Sequence, residues 1–170
     1  MNDFKTLPIK DKPLFLRYAI PCGEVLVKRG ELERQTLLSL NEATREKLEI
    51  DYPIEKIFPV ASKMCTIIAR QMGKREIDAE VIRRYFLIEH EKAIKWRQKV
   101  RPELKIEECL VYPARVLRID DKNIFVKTPL GEKFLRPDFA KGIKVNDWVS
   151  VHYDYVVEKI KQNWIKRMRW

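Results

Sequence analysis

The groups in this 170-residue chain best suited to chemistry are three thiols, Cys22, Cys65 and Cys109, and two imidazoles, His90 and His152. A thiolate is a nucleophile and a soft metal ligand, and a neutral imidazole can ligate or carry a proton. No pair among them has helical or knuckle metal-ligand spacing, and no serine or cysteine stands in a recognisable motif with a histidine and a carboxylate. With five glycines in all, the chain lacks a glycine-rich phosphate loop. Catalysis by the chain alone is therefore not expected. Cys65 falls within an apolar helical run and reads as core. His90, between Glu89 and Glu91, reads as a solvated helix residue. A second constellation is the tail, where Lys161, Lys166, Arg167 and Arg169 stand with Trp164 and Trp170 and no acid. Cations beside aromatic rings can pair phosphates and stack bases. The same spacing fits a buried stripe of Trp164, Ile165 and Met168 on a docked helix.

The elements that must position these groups change character once along the chain. Val60, Met64, Ile67, Ile68 and Met72 recur at helical spacing, and Gly73 stops the run. Asp78 then caps a long helix through Val81, Ile82, Tyr85, Phe86, Ile94 and Trp96. Ser39 and Glu42 have capping-box spacing for a helix to about Glu49, and Pro53 can open a short one. The proline-bearing first thirty residues read as extended, with a short strand over Glu24 to Lys28. At Arg101-Pro102 the long helix must end, because the proline ring disfavours helical geometry in the residue before it. Beyond it the period becomes two, in the runs Val111 to Ile119, Asn123 to Thr128, Glu132 to Arg136 and Trp148 to Val157. Asp120 to Asn123 and Pro129 to Glu132 supply turns. Short strands joined by tight turns close most economically as a small barrel, which leaves few exposed edges. The segment Glu158 to Trp170 reads as a C-terminal helix. The expected fold is α+β: residues 1–102 a mostly helical domain, and residues 103–170 a small OB-like β-barrel with a C-terminal helix.

Two strings in this second part carry a resemblance. Cys109-Leu110-Val111-Tyr112-Pro113-Ala114-Arg115-Val116 is similar to the opening of the HypC family of hydrogenase-assembly chaperones, in which a cysteine is followed four residues later by proline. Val145-Asn146-Asp147-Trp148-Val149-Ser150-Val151-His152-Tyr153-Asp154-Tyr155 resembles that family's later signature. The resemblance implies a carrier that binds a HypD-like maturation protein and delivers an iron centre to the large-subunit precursor of a nickel-iron hydrogenase. It implies Cys109 and His152 as the iron-centre and partner-binding residues, with Cys109 the metal ligand. Pro113, Asp147 and Trp148 become framework residues of the barrel motif. The family cysteine follows the initiator methionine, whereas 108 residues precede Cys109, and Ala114, Asn146 and Asp154 stand where the family has glycines. By strand alternation His152 shares a face with Trp148, Ser150 and Asp154, the more polar one, and reads as accessible.

Composition sets the remaining expectations. Thirty-five Lys and Arg against 25 Asp and Glu leave a net charge of +10 and favour acidic partners. A charged fraction of 35% is common where ion-pair networks matter at high temperature. An odd cysteine count without a close pair fits a reducing, cytoplasmic setting. The short apolar run Leu14 to Leu16, broken by Arg17, is no secretory signal, and no stretch has the length of a membrane span. No cofactor is expected of the isolated chain beyond a transient iron centre. The rival expectation is nucleic-acid binding, through the tail and through Arg115, Lys127, Lys133 and Arg136 on the barrel. Against it stands the lack of a recognisable aromatic pair on a strand.

Overall fold

A computed structural model describes residues 4–170, which form eight α-helices, one π-helical segment and five strands. The chain divides into two compact units between Phe86 and Leu87. That division falls inside the π-helical segment Arg84–Glu89, upstream of Pro102, where helix gives way to sheet.

The first unit is helical: α1 (Lys12–Lys28), α2 (Arg34–Glu46), α3 (Ile54–Ile57), α4 (Pro59–Gln71) and α5 (Ala79–Arg83). The expected extended entry and the strand over Glu24 to Lys28 are corrected by α1; residues 1–3 lie outside the described residues. Asp11 caps α1, its carboxylate accepting the Leu14 N–H at 3.0 Å, with Pro13 in the first turn. Leu14, Phe15, Leu16, Tyr18, Ala19 and Ile20 are all buried. A helix apolar on nearly every side shows no amphipathic period, and this is how α1 escapes a reading by pattern. Pro21 lies inside it, where the lost N–H is outweighed by that burial. At Gly23 a Cβ would come within 2.4 Å of Leu37 Cδ1, so glycine allows α1 and α2 to approach. The helix expected to begin at Ser39 begins at Arg34, because Leu37 and Leu40 already belong to its buried stripe. Pro53 does open α3, and α4 ends before Gly73 at φ 71°. Asp78 caps α5, accepting the Val81 N–H at 3.0 Å. Phe86 packs edge-on to Phe15 and stacks on Tyr18 at 5.0 Å between centroids.

The second unit begins with α6 (His90–Gln98) and a single turn α7 (Ile106–Cys109), then β1 (Val111–Ile119), β2 (Ile124–Thr128), β3 (Gly131–Leu135), β4 (Trp148–His152) and β5 (Tyr155–Lys159). The sheet order is β3-β2-β1-β4-β5, antiparallel throughout. The expected closed barrel is instead an open sheet whose two edges meet at one isolated parallel bridge, Arg136 to Tyr155. This order with a parallel link between its ends is that of a partly open OB-type barrel. Ala114, Val116, Ile124, Val126, Leu135, Val149, Val151 and Val156 form its core, with Ala140 and Ile143 packed against it. The single run expected over Trp148 to Val157 is a hairpin, turning at Tyr153, whose φ is 51°. A bulge between Val116 and Arg118 breaks the β1–β2 register. The expected C-terminal helix is one turn, α8 (Gln162–Ile165), because Glu158 and Lys159 still belong to β5.

Candidate functional site

Cys109 ends α7, with Leu110 between it and the start of β1. Its position is set by an apolar cluster of Ile94, Leu110 and Tyr112, against which Ile106 and Cys109 pack. The Tyr112 hydroxyl donates to the Glu107 carbonyl and pins α7 to the strand that follows it. Burial pushes the Tyr112 phenol up to about 12, helped by the negative charges of Glu107, Cys109 and Glu91. The thiol itself is half-buried.

His152 is the last residue of β4, opposite Val111 in the β1–β4 ladder. Its Nε2 lies 3.2 Å from the Cys109 carbonyl. A carbonyl can only accept, so Nε2 carries the proton and donates it. The next residue, Tyr153, turns the chain and donates its hydroxyl to Cys109 Sγ at 3.0 Å. One hairpin end thus holds both the backbone and the sulfur of Cys109. An O–H aimed at sulfur favours the thiolate over the thiol, which is the form that ligates metal.

The two residues carried over from the resemblance therefore meet, although not as a pair of donors pointing at one centre. His152 acts on the cysteine backbone. It is also fully buried, which corrects the expectation of accessibility. Strand alternation does put it on the face of Trp148 and Ser150. At the His152 end that face is covered, and Ser150 is buried as well. His90, expected in solvent, is 7% exposed, its ring edge-on to His152 at 5.4 Å. Burial holds the His90 imidazole down to about 3, and the neighbouring His152 acts in the same direction.

The framework residues have structural duties. Pro113 faces Ser150 on β4 and precedes the β1–β2 pairing, which starts at Arg115, so its missing N–H breaks no bond to β2. Asp147 closes the turn into β4. It accepts the Lys144 N–H at 2.9 Å and the Lys159 ammonium at 2.7 Å, and that ammonium holds its carboxyl below the usual range. Trp148 is half-buried opposite Arg115. Cys65 is fully buried, as expected, and burial raises its thiol far above the usual value.

In the tail, Trp164 and Met168 are buried, in line with the docked-stripe reading. Arg167 lies over the Trp164 ring at 4.6 Å, Arg169 pairs with Glu91, and Trp170 packs against Tyr112 at 4.9 Å. Lys161 and Lys166 are exposed. The tail's rings are thus largely committed to the fold. An aromatic pair on strands, not recognised in the sequence, does exist: Phe125 on β2 and Phe134 on β3 are register partners with centroids 4.6 Å apart.

Sequence reasoning missed Tyr153, because its role depends on a turn hidden in an apparently continuous strand. Compared with family models, with curated proteins and with solved structures, the chain matches none of them. Among the described residues no helix is long and apolar enough to cross a membrane.

Proposed function

We propose that the second unit is a HypC-like carrier module that acts by association rather than catalysis, with the Cys109 thiolate as its donor to an iron centre. The observation that supports this most is the convergence of Tyr153 and His152 on Cys109, at 3.0 Å to its sulfur and 3.2 Å to its carbonyl. A cysteine used only as packing needs neither contact. In this reading the iron centre is cargo, passed from a HypD-like protein to a hydrogenase large-subunit precursor. Cys109 is amide-linked at both ends, so the chain offers sulfur without a neighbouring terminal amine. His152 is a positioning residue, since its protonated Nε2 is aimed at the cysteine backbone. Taking up iron releases the thiol proton, so loading is favoured as pH rises.

The test is capture of wild-type protein and Cys109→Ala from the native host under anaerobic conditions with high-salt washes. The reading expects a HypD-like protein or a hydrogenase precursor to be recovered with iron, and both to be lost from the variant. Equal recovery of partner and iron with Cys109→Ala would overturn it.

A further inference from the structure

We propose that the outward face of β1, β2 and β3 is a stacking platform for single-stranded nucleic acid, a site separate from Cys109 and independent of the carrier reading. Phe134 is 57% exposed, and the Phe125 ring lies beside it at 4.6 Å with an interplanar angle of 34°. Two large apolar rings side by side on a sheet surface gain nothing from water, and a paired outward display is the form in which successive bases are received. The charge around them has the matching sign. Arg118 sits over both rings, 5.6 Å from Phe125 and 5.8 Å from Phe134. It reaches that position through the β1 bulge: Arg115 points outward and Val116 inward, and the extra residue Leu117 returns Arg118 to the outer side. Without the bulge, alternation would aim Arg118 into the core.

On the same face Arg115 stands opposite Lys127, and Trp148 stands opposite Arg115 on the other side. Glu132 opposes Lys127 and is the acid of this patch. Lys133, paired with the core residue Val126, lies on the other face and takes no part in it. Rings flanked by two arginines and a lysine on a chain of net charge +10 suit a phosphate backbone carrying unpaired bases. A duplex would offer the phosphates but keep its bases stacked internally, leaving the rings unused. The surface therefore commits to a single strand.

The probe is a fluorescently labelled 20-nucleotide deoxythymidine oligomer, followed by anisotropy with the full chain at 50 and 200 mM salt. Three cations on the backbone, Arg115, Arg118 and Lys127, give a log–log salt slope of about −2 for a single strand. Phe134→Ala should weaken binding about tenfold, and Phe125→Ala with Phe134→Ala should weaken it further, whereas Cys109→Ala should leave it unchanged. Phe134 is exposed enough that its truncation leaves the core intact, which near-native thermal unfolding of the single variant checks. Arg118→Ala should lower both affinity and the steepness of the salt dependence. Three results would each overturn the proposal: no binding at micromolar protein, equal affinity for a duplex of the same length, or binding indifferent to both phenylalanines. Capture of an acidic peptide in place of the oligomer would assign the face to a protein instead.

Discussion

The contacts at Cys109 separate two roles that a bare sequence string merges. Tyr153→Phe removes one hydroxyl and leaves the ring, so fold and hairpin should persist while the thiolate loses its donor. The expected outcome is slower alkylation of Cys109 at neutral pH by a small iodoacetamide-type reagent, with an upward-shifted pH–rate midpoint. An unchanged profile would show that the hydroxyl does not tune the sulfur. Cys65, fully buried, should stay unlabelled until the chain unfolds. His90 provides a pH dependence. Its folded value near 3 lies below the ordinary 6.5, so the unfolded chain binds the extra proton between those limits. Stability from this group is present above about pH 6.5 and declines as pH falls toward 3. Carboxylates held low, such as Asp78 and Asp147, begin to act only below their ordinary range near 3.8. Between pH 6.5 and 4.5 the decline therefore belongs to imidazole. His90→Leu should flatten the thermal midpoint over that interval, and an unaltered slope would show that His90 is not its source.

At the level of elements, the legible parts were those with a simple period or a strong terminator. The span of β1 follows from its alternation, α4 from its apolar stripe and Gly73, and the start of α5 from Asp78. Replacing that cap, Asp78→Ala, should cost about 0.5–2 kcal/mol in denaturant unfolding. Helix α1 was illegible for a physical reason: buried on nearly all sides, it has no polar face to set a period, and its prolines read as breaks. The start signal was nonetheless there, in Asp11 two residues before Pro13. The β4–β5 turn was hidden because Tyr153 and Asp154 continue an alternating pattern while Tyr153 takes a left-handed backbone. The burial of His90 and His152 is illegible in the sequence because local polarity does not reveal what tertiary structure covers. Gly23→Ala sets two magnitudes against each other. Alanine gains about 1 kcal/mol in a helix interior, but intrusion on the buried Leu37 costs about 1–3. The variant should be neutral to destabilising in the wild type and stabilising in a Leu37→Ala background. Additive behaviour in that double-mutant cycle would show that the approach of α1 and α2 is not what requires glycine.

On the scale of the whole molecule, the two compact units carry different kinds of order. The first rests on aromatic packing around Phe86, and the second on a small valine-rich sheet core. Ile124→Ala, at 1% exposure in that core, should destabilise the sheet unit by about 2–5 kcal/mol in denaturant titration. A loss below 1 kcal/mol would mean that the sheet repacks freely. The open sheet has one further consequence. Its edges are bridged at Arg136, where the Arg136 N–H bonds the Asp154 carbonyl at 2.7 Å, and the Arg136 side chain reaches the Tyr155 hydroxyl at 2.7 Å. Phe139 stacks on the same tyrosine at 5.5 Å. Together these groups occupy the start of β5, while β3 presents Glu132 and Lys133 along its exposed run. A strand from a second chain would find one border already bonded and the other charged. This barrel thus resists fibrillar self-assembly at the point where it stops short of closing.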